Sequence, residues 1–415
     1  SGTTGTPKAV QLDHGQMLAV AAGIIDRVPP GGGTDYRVVS YLPLCHVAEQ
    51  LFTNFLHLSS GGQVAFCPEL PQLKDHLVAN RPTIFLGVPR VWEKFQAVLE
   101  AKLSESPPLK RRLAAWAMAT ELAAFDREVE TGQTVGGPAR WLANKLVISK
   151  IKAGIGLDQL LAAATGAAPI SEGTLRFFAS IGVVIFEGYG MSETTGVATC
   201  SVFPRPRFGY VGPVLDGVEL RIAEDGEILF KGRIMTKGYL RQPERTAELI
   251  DEDGWLHTGD LGTLEPDGCL KITGRKKDIL ITAGGKNVAP AEMEALIQPI
   301  AGVAQVVVVG DQQPYLAALI TVDPEALAAV NDLLGTRAGS AAELAGDPAF
   351  LRYLDERIEA DCNTKVARYQ TIKRVRVLPV EFTVESGHLT PTMKLKRNVI
   401  TADFADDILE LYAGG

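Results

Sequence analysis

Val183-Val184-Ile185-Phe186-Glu187-Gly188-Tyr189-Gly190-Met191-Ser192-Glu193-Thr194-Thr195-Gly196 passes from an apolar run into a loop of glycines, hydroxyls and one acid. Residues 183–187 read as a buried strand. The loop leaves its carboxyl end, and ligands of open α/β sheets sit beyond the carboxyl ends of strands. Tyr189 offers a flat face for a purine, Glu193 a hard oxygen ligand for a divalent cation, and Thr194 a hydroxyl for phosphate. No third glycine follows at dinucleotide spacing, so the Rossmann fingerprint is rejected.

Upstream, short apolar runs alternate with turns. Residues 38–42, 63–67, 83–88 and 160–165 read as strands, and 17–27, 49–58 and 73–80 as helices. That alternation predicts a layered α/β domain. Residues 92–131 have a helical pattern broken at Pro107-Pro108. Leu109, Leu113, Trp116, Ala117 and Leu122 would line one face, with Lys110, Arg111 and Arg112 on another. A helix covering a core is the plainer reading, and a basic amphipathic helix touching a membrane the rival one. Downstream, 217–275 holds short β segments (219–222, 227–231, 270–273) between Gly and Asp turns, a small β-rich subdomain. After Arg275 the pattern becomes compact α+β, with strands at 303–310, 316–322 and 372–378 and a helix at 350–363.

Four further stretches carry candidate chemistry. Ser1-Gly2-Thr3-Thr4-Gly5-Thr6-Pro7-Lys8 combines glycines that admit phosphate oxygens to backbone N–H groups with hydroxyl donors and a mobile cation. Its spacing is not that of a Walker loop. In Gly254-Trp255-Leu256-His257-Thr258-Gly259-Asp260, a fixed carboxylate at Asp260 could accept ribose hydroxyls, although Thr-Gly-Asp alone reads as a turn. Gly274-Arg275-Lys276-Lys277-Asp278, with Thr282-Ala283-Gly284-Gly285-Lys286-Asn287, reads on charge alone as a solvated connection. Lys394 lies in Leu389-Thr390-Pro391-Thr392-Met393-Lys394-Leu395-Lys396-Arg397, where a lone lysine is ordinarily a surface residue.

Composition sets the outer limits. A chain of 415 residues exceeds one ordinary core, and 46% apolar with 22% charged residues is globular. The net charge of −8 argues against general nucleic-acid binding. Five scattered cysteines without CxxC spacing predict neither a disulfide framework nor a zinc site, and a reducing compartment. The length of no apolar run approaches a membrane span.

In combination and in this order, these motifs resemble the adenylate-forming superfamily of acyl-CoA synthetases, peptide-synthetase adenylation domains and luciferases. Leu42-Pro43-Leu44-Cys45-His46-Val47-Ala48-Glu49, Val88-Pro89-Arg90-Val91-Trp92-Glu93-Lys94 and Ala367-Arg368-Tyr369-Gln370-Thr371-Ile372-Lys373-Arg374 are similar to the long-chain fatty-acid–CoA ligases. The resemblance implies a large adenylation domain over 1–275, a mobile C-terminal domain over 276–415 and a hinge near Lys277. It implies that residues before Ser1 are missing from this chain. The loop Ser1, Gly2, Thr3, Thr4, Gly5, Thr6 and Lys8 would hold the β- and γ-phosphates of ATP. Tyr189 and the backbone of Gly166, Ala167 and Ala168 would bind adenine, and Asp260 and Arg275 ribose. Thr194 would touch the α-phosphate and Glu193 Mg2+. Gly284 and Gly285 would line the path of coenzyme A, and Lys394 would serve adenylation. His46 would assist thiol attack or line the acyl channel, and Val47, Phe85, Leu86, Val88 and Trp92 read equally well as walls of that channel or as core.

The implied partners are a fatty acid, ATP and CoA. The implied location is cytoplasmic, with peripheral contact at the inner face of a membrane left open, as is the oligomeric state. Two other readings stay open. One is an acyl-AMP ligase that delivers the acyl group to a carrier protein, and the other is a nucleotide-binding protein without turnover.

Overall fold

A computed structural model describes residues 8–27, 36–202, 204–390 and 394–413. The chain separates into two compact units. The first runs to Thr258 and takes in Gly262–Ile272, and the second holds Gly259–Leu261 and everything from Thr273 onward.

In the first unit, Ile84–Leu86, Ala162–Thr165 and Ile185–Tyr189 form a parallel sheet that Thr199–Cys200 extends as an antiparallel edge. Arg37–Ser40 and Gln63–Phe66 make a second, two-stranded parallel sheet. Parallel neighbours require crossovers, and here helices supply them. Between Ile84–Leu86 and Ala162–Thr165 the chain makes Pro89–Ser104, Pro108–Thr131 and Pro138–Ala143. The two prolines anticipated as a break separate the first pair, with Pro108 at the first helical position, where its missing N–H costs nothing. The strand that launches the glycine loop continues through Tyr189, two residues past the expected end. Gly188 and Tyr189 therefore belong to the sheet.

Phe85 and Trp92 are core residues. Their rings meet edge-on at 5.3 Å, and Trp92 meets Phe178 at 4.9 Å. The Trp92 indole donates to the Gly87 carbonyl at 2.9 Å. Of the two readings open for this pair, channel wall or core, the structure shows core: it packs the sheet against its helices, because a buried indole needs an acceptor and the strand end provides it.

The long helix Pro108–Thr131 also departs from its expected face. It buries Ala114, Ala117, Glu121, Ala124 and Phe125 and leaves Leu109, Leu113 and Trp116 exposed. Ala117 packs against Ala143 and Ile148, where small side chains let the helices approach closely. Arg140 clamps them by reaching Glu121 at 2.7 Å and Glu128 at 2.6 Å.

Four strands form the β-rich region in the order Leu270–Arg275, Leu256–Leu264, Glu227–Gly232, Val218–Ile222. Thr258-Gly259-Asp260, which reads as a turn in sequence, lies inside the nine-residue strand Leu256–Leu264. Gly259 has φ +70°, a kink that leaves the strand paired while re-aiming Asp260. In the second unit, Leu316–Val322 lies between antiparallel Val303–Val309 and parallel Ile372–Leu378. All its residues are buried, because Leu316, Ala318, Ile320 and Val322 face one apolar cluster while Ala317 and Leu319 face another.

Candidate active site

The loop after Ile185–Tyr189 is shaped by its own backbone. A side chain at Gly190 would meet the Gly196 carbonyl oxygen at 2.5 Å and Thr194 Oγ1 at 2.8 Å, so only glycine lets the loop fold back so tightly. Thr194 Oγ1 accepts from the Met191 N–H at 2.9 Å and donates to the Met191 carbonyl at 3.1 Å. The hydroxyl expected at phosphate is thus committed to the loop in this structure. Thr195 adopts φ +58° and its hydroxyl donates to the Ile234 carbonyl at 2.5 Å.

These constraints aim Glu193 inward, where it is 1% exposed. Its Oε1 accepts from the Tyr239 hydroxyl at 2.8 Å. Its Oε2 is buried without a hydrogen-bond partner, the one carboxylate oxygen among the described residues in that condition. An unsatisfied buried carboxylate oxygen is expensive, and a divalent cation satisfies it. Among the described residues no cluster of three or more His, Cys, Asp or Glu forms a metal cage. A single carboxylate suits Mg2+, which is held by one or two carboxylates together with substrate phosphates. The residues present therefore fit the ion.

Tyr239, the hydrogen-bond partner of Glu193, is a residue that sequence reading did not single out. Burial first, and then the adjacent Glu193 charge, push its phenol far above the ordinary range, so it acts as a donor. Lys8 Nζ lies 4.6 Å from the centre of the same ring. Lys8 and Glu193, expected at phosphate and at a cation, thus share one neighbour, although 231 positions separate Lys8 from Tyr239 in sequence. No local pattern marks that tyrosine. Ser1, Gly2, Thr3, Thr4, Gly5 and Thr6 lie outside the described residues.

The adenine candidates adjoin this loop. Tyr189 is half-buried, with its ring 6.0 Å from that of Phe230. A side chain on Gly166 would come 3.0 Å from the Gly188 carbonyl oxygen, and Ala167 holds φ +71° in the following turn. Ala167 and Ala168 are exposed, which leaves their backbone accessible to a base. Glu187 went unremarked, though an acid ending an apolar strand is itself a signal. It is buried, accepts from the Gly209 N–H at 3.0 Å, and burial pushes its carboxyl up to about 8. His46 caps the short helix Val47–Glu49, with Nδ1 accepting from the Ala48 N–H at 3.2 Å, so its other nitrogen carries the proton in the neutral ring.

In the second unit, Arg275 Nε donates to Asp260 Oδ1 at 2.7 Å. The two residues expected at ribose are thus one ion pair, with the carboxylate buried and the guanidinium half exposed. Lys277 is exposed in the single turn Lys276–Asp278. Gly284 and Gly285 form an exposed turn between the paired strands Leu280–Ile281 and Asn287–Val288, with Gly285 at φ +70°. Lys394 is half-buried, and its N–H donates to Thr390 Oγ1 at 3.0 Å.

The model of the AMP-binding enzyme family matches residues 1–240, and that of the AMP-binding enzyme C-terminal domain matches 277–415. The chain is 40% identical to a Mycobacterium tuberculosis protein named fatty-acid–CoA ligase fadD11, covering 100% of this chain and 72% of that one. It is 38% identical to long-chain-fatty-acid–CoA ligase FadD15 of the same species, covering 99% and 68%. Long-chain-fatty-acid–CoA ligase ACSBG2 of Xenopus laevis is 35% identical, covering 99% of this chain and 59% of that protein. Among solved structures, the adenylation domain of a carboxylate reductase from Mycobacterium chelonae superposes with a TM-score of 0.71 at 25% identity, covering 100% and 59%.

Proposed function

This chain belongs to the AMP-binding enzyme family, and on that premise we propose that it is a long-chain fatty-acid–CoA ligase of the AMP-forming kind. The observation that carries the cation site is the buried, unpartnered Oε2 of Glu193 at the carboxyl end of a parallel strand.

The reaction has two halves. A fatty carboxylate oxygen attacks the α-phosphorus of ATP, the bond to the β-phosphate oxygen breaks, and acyl-AMP and pyrophosphate form. The sulfur of CoA then attacks the acyl carbon, AMP leaves with the bonding electrons, and the thiol proton passes to solvent or to a nearby base. The first half is opposed by electrostatics, since an anion approaches a polyanion. Glu193 would hold Mg2+, which supplies charge neutralisation at the phosphates. Lys8, Lys394 and the N–H groups of the loop at residues 1–6 add positive potential in the same role. Tyr189 and the Gly166-Ala167-Ala168 backbone bind adenine, and Asp260 with Arg275 holds ribose. Thr194 reaches the α-phosphate by turning its hydroxyl away from Met191. No side-chain nucleophile is needed, because the substrate carries its own.

The second half needs a thiolate. A thiol of ordinary pKa near 8.5 is already about 3% ionised at pH 7, so His46 assists without being indispensable. Lys394 serves the first half and gives way to CoA in the second, with Lys277 as the hinge and Gly284 and Gly285 beside the CoA path. Long acyl chains partition into bilayers, and the protein meets its substrate at the cytoplasmic face of a membrane. No helix among the described residues is long and apolar enough to cross one.

The test follows pyrophosphate and acyl-CoA together across a series of fatty acids. Both products in equal amounts, with kcat/KM rising with chain length at about 0.8 kcal/mol per buried CH₂ until the pocket is full, is the expected result. Pyrophosphate without acyl-CoA would replace CoA by another acceptor. A flat response beyond short chains would remove the long-chain specificity.

A further inference from the structure

The helix Pro108–Thr131 packs through Ala117 against Ala143 at the end of Pro138–Ala143 and Ile148 of the helical continuation Asn144–Ile148, and both partners leave large apolar side chains exposed. Leu109 is 80% exposed and Trp141 61% exposed. Leu113 and Trp116, four residues and one residue before Ala117, and Leu146, about one turn from Ala143, are exposed as well. Leu109, Leu113 and Trp116 follow one another at helical spacing, so they form a ridge. Two of the four tryptophans of the chain therefore face outward on one helical pair.

Within the two segments that carry the ridge and Trp141 the charges have a single sign, and the acid nearest the ridge in sequence is the exposed Glu105 just before it. Lys110, Arg111, Arg112, Lys145 and Lys150 are all exposed. No acidic residue occurs in 108–120 or 138–152, although the whole chain carries −8. The acids of the long helix begin at Glu121; Glu121 and Glu128 are neutralised by Arg140, the residue before Trp141, and Asp126 by Arg176. Lys145 Nζ stacks 4.8 Å from the Trp141 ring, a cation beside an aromatic at the surface.

We propose that the Leu109–Leu113–Trp116 ridge and Trp141, with their basic surround, dock this protein on the surface of an anionic lipid bilayer. Indole rings settle at the headgroup level, leucines reach the acyl boundary, and lysines and arginines pair with lipid phosphates. Each cation near such a surface contributes about 1 kcal/mol, or about fivefold in affinity. Charge selects this occupant over a second copy of the chain. A symmetric contact through the patch would set Lys110, Arg111 and Arg112 against their own equivalents. The proposal deepens the membrane contact suggested above, and it is tested without turnover so that it stands or falls apart from the ligase reading.

The experiment is co-sedimentation of the protein with vesicles, without substrates. One set is phosphatidylcholine alone, and the other contains phosphatidylglycerol. Binding to the anionic vesicles, weakened by salt, is expected. The variant combining Lys110→Glu, Arg111→Glu and Arg112→Glu should bind at least about a hundredfold more weakly. Trp141→Ala should cost several-fold with an unchanged circular dichroism spectrum. Brominated lipid should quench tryptophan fluorescence, and much less so in the Trp116→Phe, Trp141→Phe double variant. Turnover of a water-soluble short-chain acid by each variant reports separately on the ligase reading. Binding to neither vesicle, equal binding to both, or affinity indifferent to the triple charge change would overturn the proposal. So would a dimer in solution that shields Trp116 and Trp141 from a soluble quencher.

Discussion

Glu193 and Asp260 are both buried carboxylates at proposed nucleotide contacts, and they are neutralised differently. Asp260 receives a guanidinium N–H from Arg275 at 2.7 Å, so its charge is compensated by the protein itself. Glu193 receives only the neutral Tyr239 hydroxyl, and its second oxygen has no hydrogen-bond partner. A carboxylate with its own cation is set to orient neutral donors such as ribose hydroxyls. One lacking a cation is set to capture one, and the difference assigns the two acids to different parts of a nucleotide.

That contrast orders the expected effects. Glu193→Gln keeps the size and the Tyr239 hydrogen bond but discards the charge. Pyrophosphate release should fall about a thousandfold, and binding of Mn2+ in the presence of ATP, followed by electron paramagnetic resonance, should weaken in parallel. Unchanged Mn2+ binding would end the cation assignment. Lys394→Ala should slow pyrophosphate release about a hundredfold while thioester formation from supplied acyl-AMP stays within a few-fold. Equal loss of both would contradict its assignment to the first half alone. Asp260→Asn, assayed for ATP KM and kcat, should raise KM about tenfold with little change in kcat, because ground-state and transition-state binding of ribose are lost together. An effect confined to kcat would move Asp260 into the chemistry.

The smallest effect concerns stability. Burial holds the Glu187 carboxyl protonated up to about pH 8, against an ordinary value of 4.5. The unfolded chain releases that proton from about pH 4.5, so wild-type stability from this group falls as pH rises through the window and levels off above about 8. Glu187→Gln removes the dependence. Its urea midpoint relative to wild type should climb between those limits and be level on either side of them. A difference independent of pH would show that Glu187 is not buried in its neutral form.

The layered α/β order was legible because parallel strands are short apolar runs between helical patterns, and 316–322 and 372–378 were placed to the residue. What escaped has identifiable causes. Thr258-Gly259-Asp260 carries turn residues, yet a positive-φ glycine inside a strand makes the same composition, and only pairing distinguishes them. Leu109, Leu113 and Trp116 have the spacing of a core face, but alanines pack closer than leucines, so Ala114, Ala117 and Ala124 took the interior. Glu193 could be named from its motif, whereas Tyr239, 46 residues away, could not, because its role exists only through a tertiary contact.

Exchange of labelled pyrophosphate into ATP, driven by a fatty acid in the absence of CoA, tests the central claim most directly. It reports acyl-AMP formation alone. Exchange that requires both the acid and a divalent cation, and that disappears in Glu193→Gln, is the predicted result. Exchange that proceeds without the acid, or that survives Glu193→Gln undiminished, would contradict it.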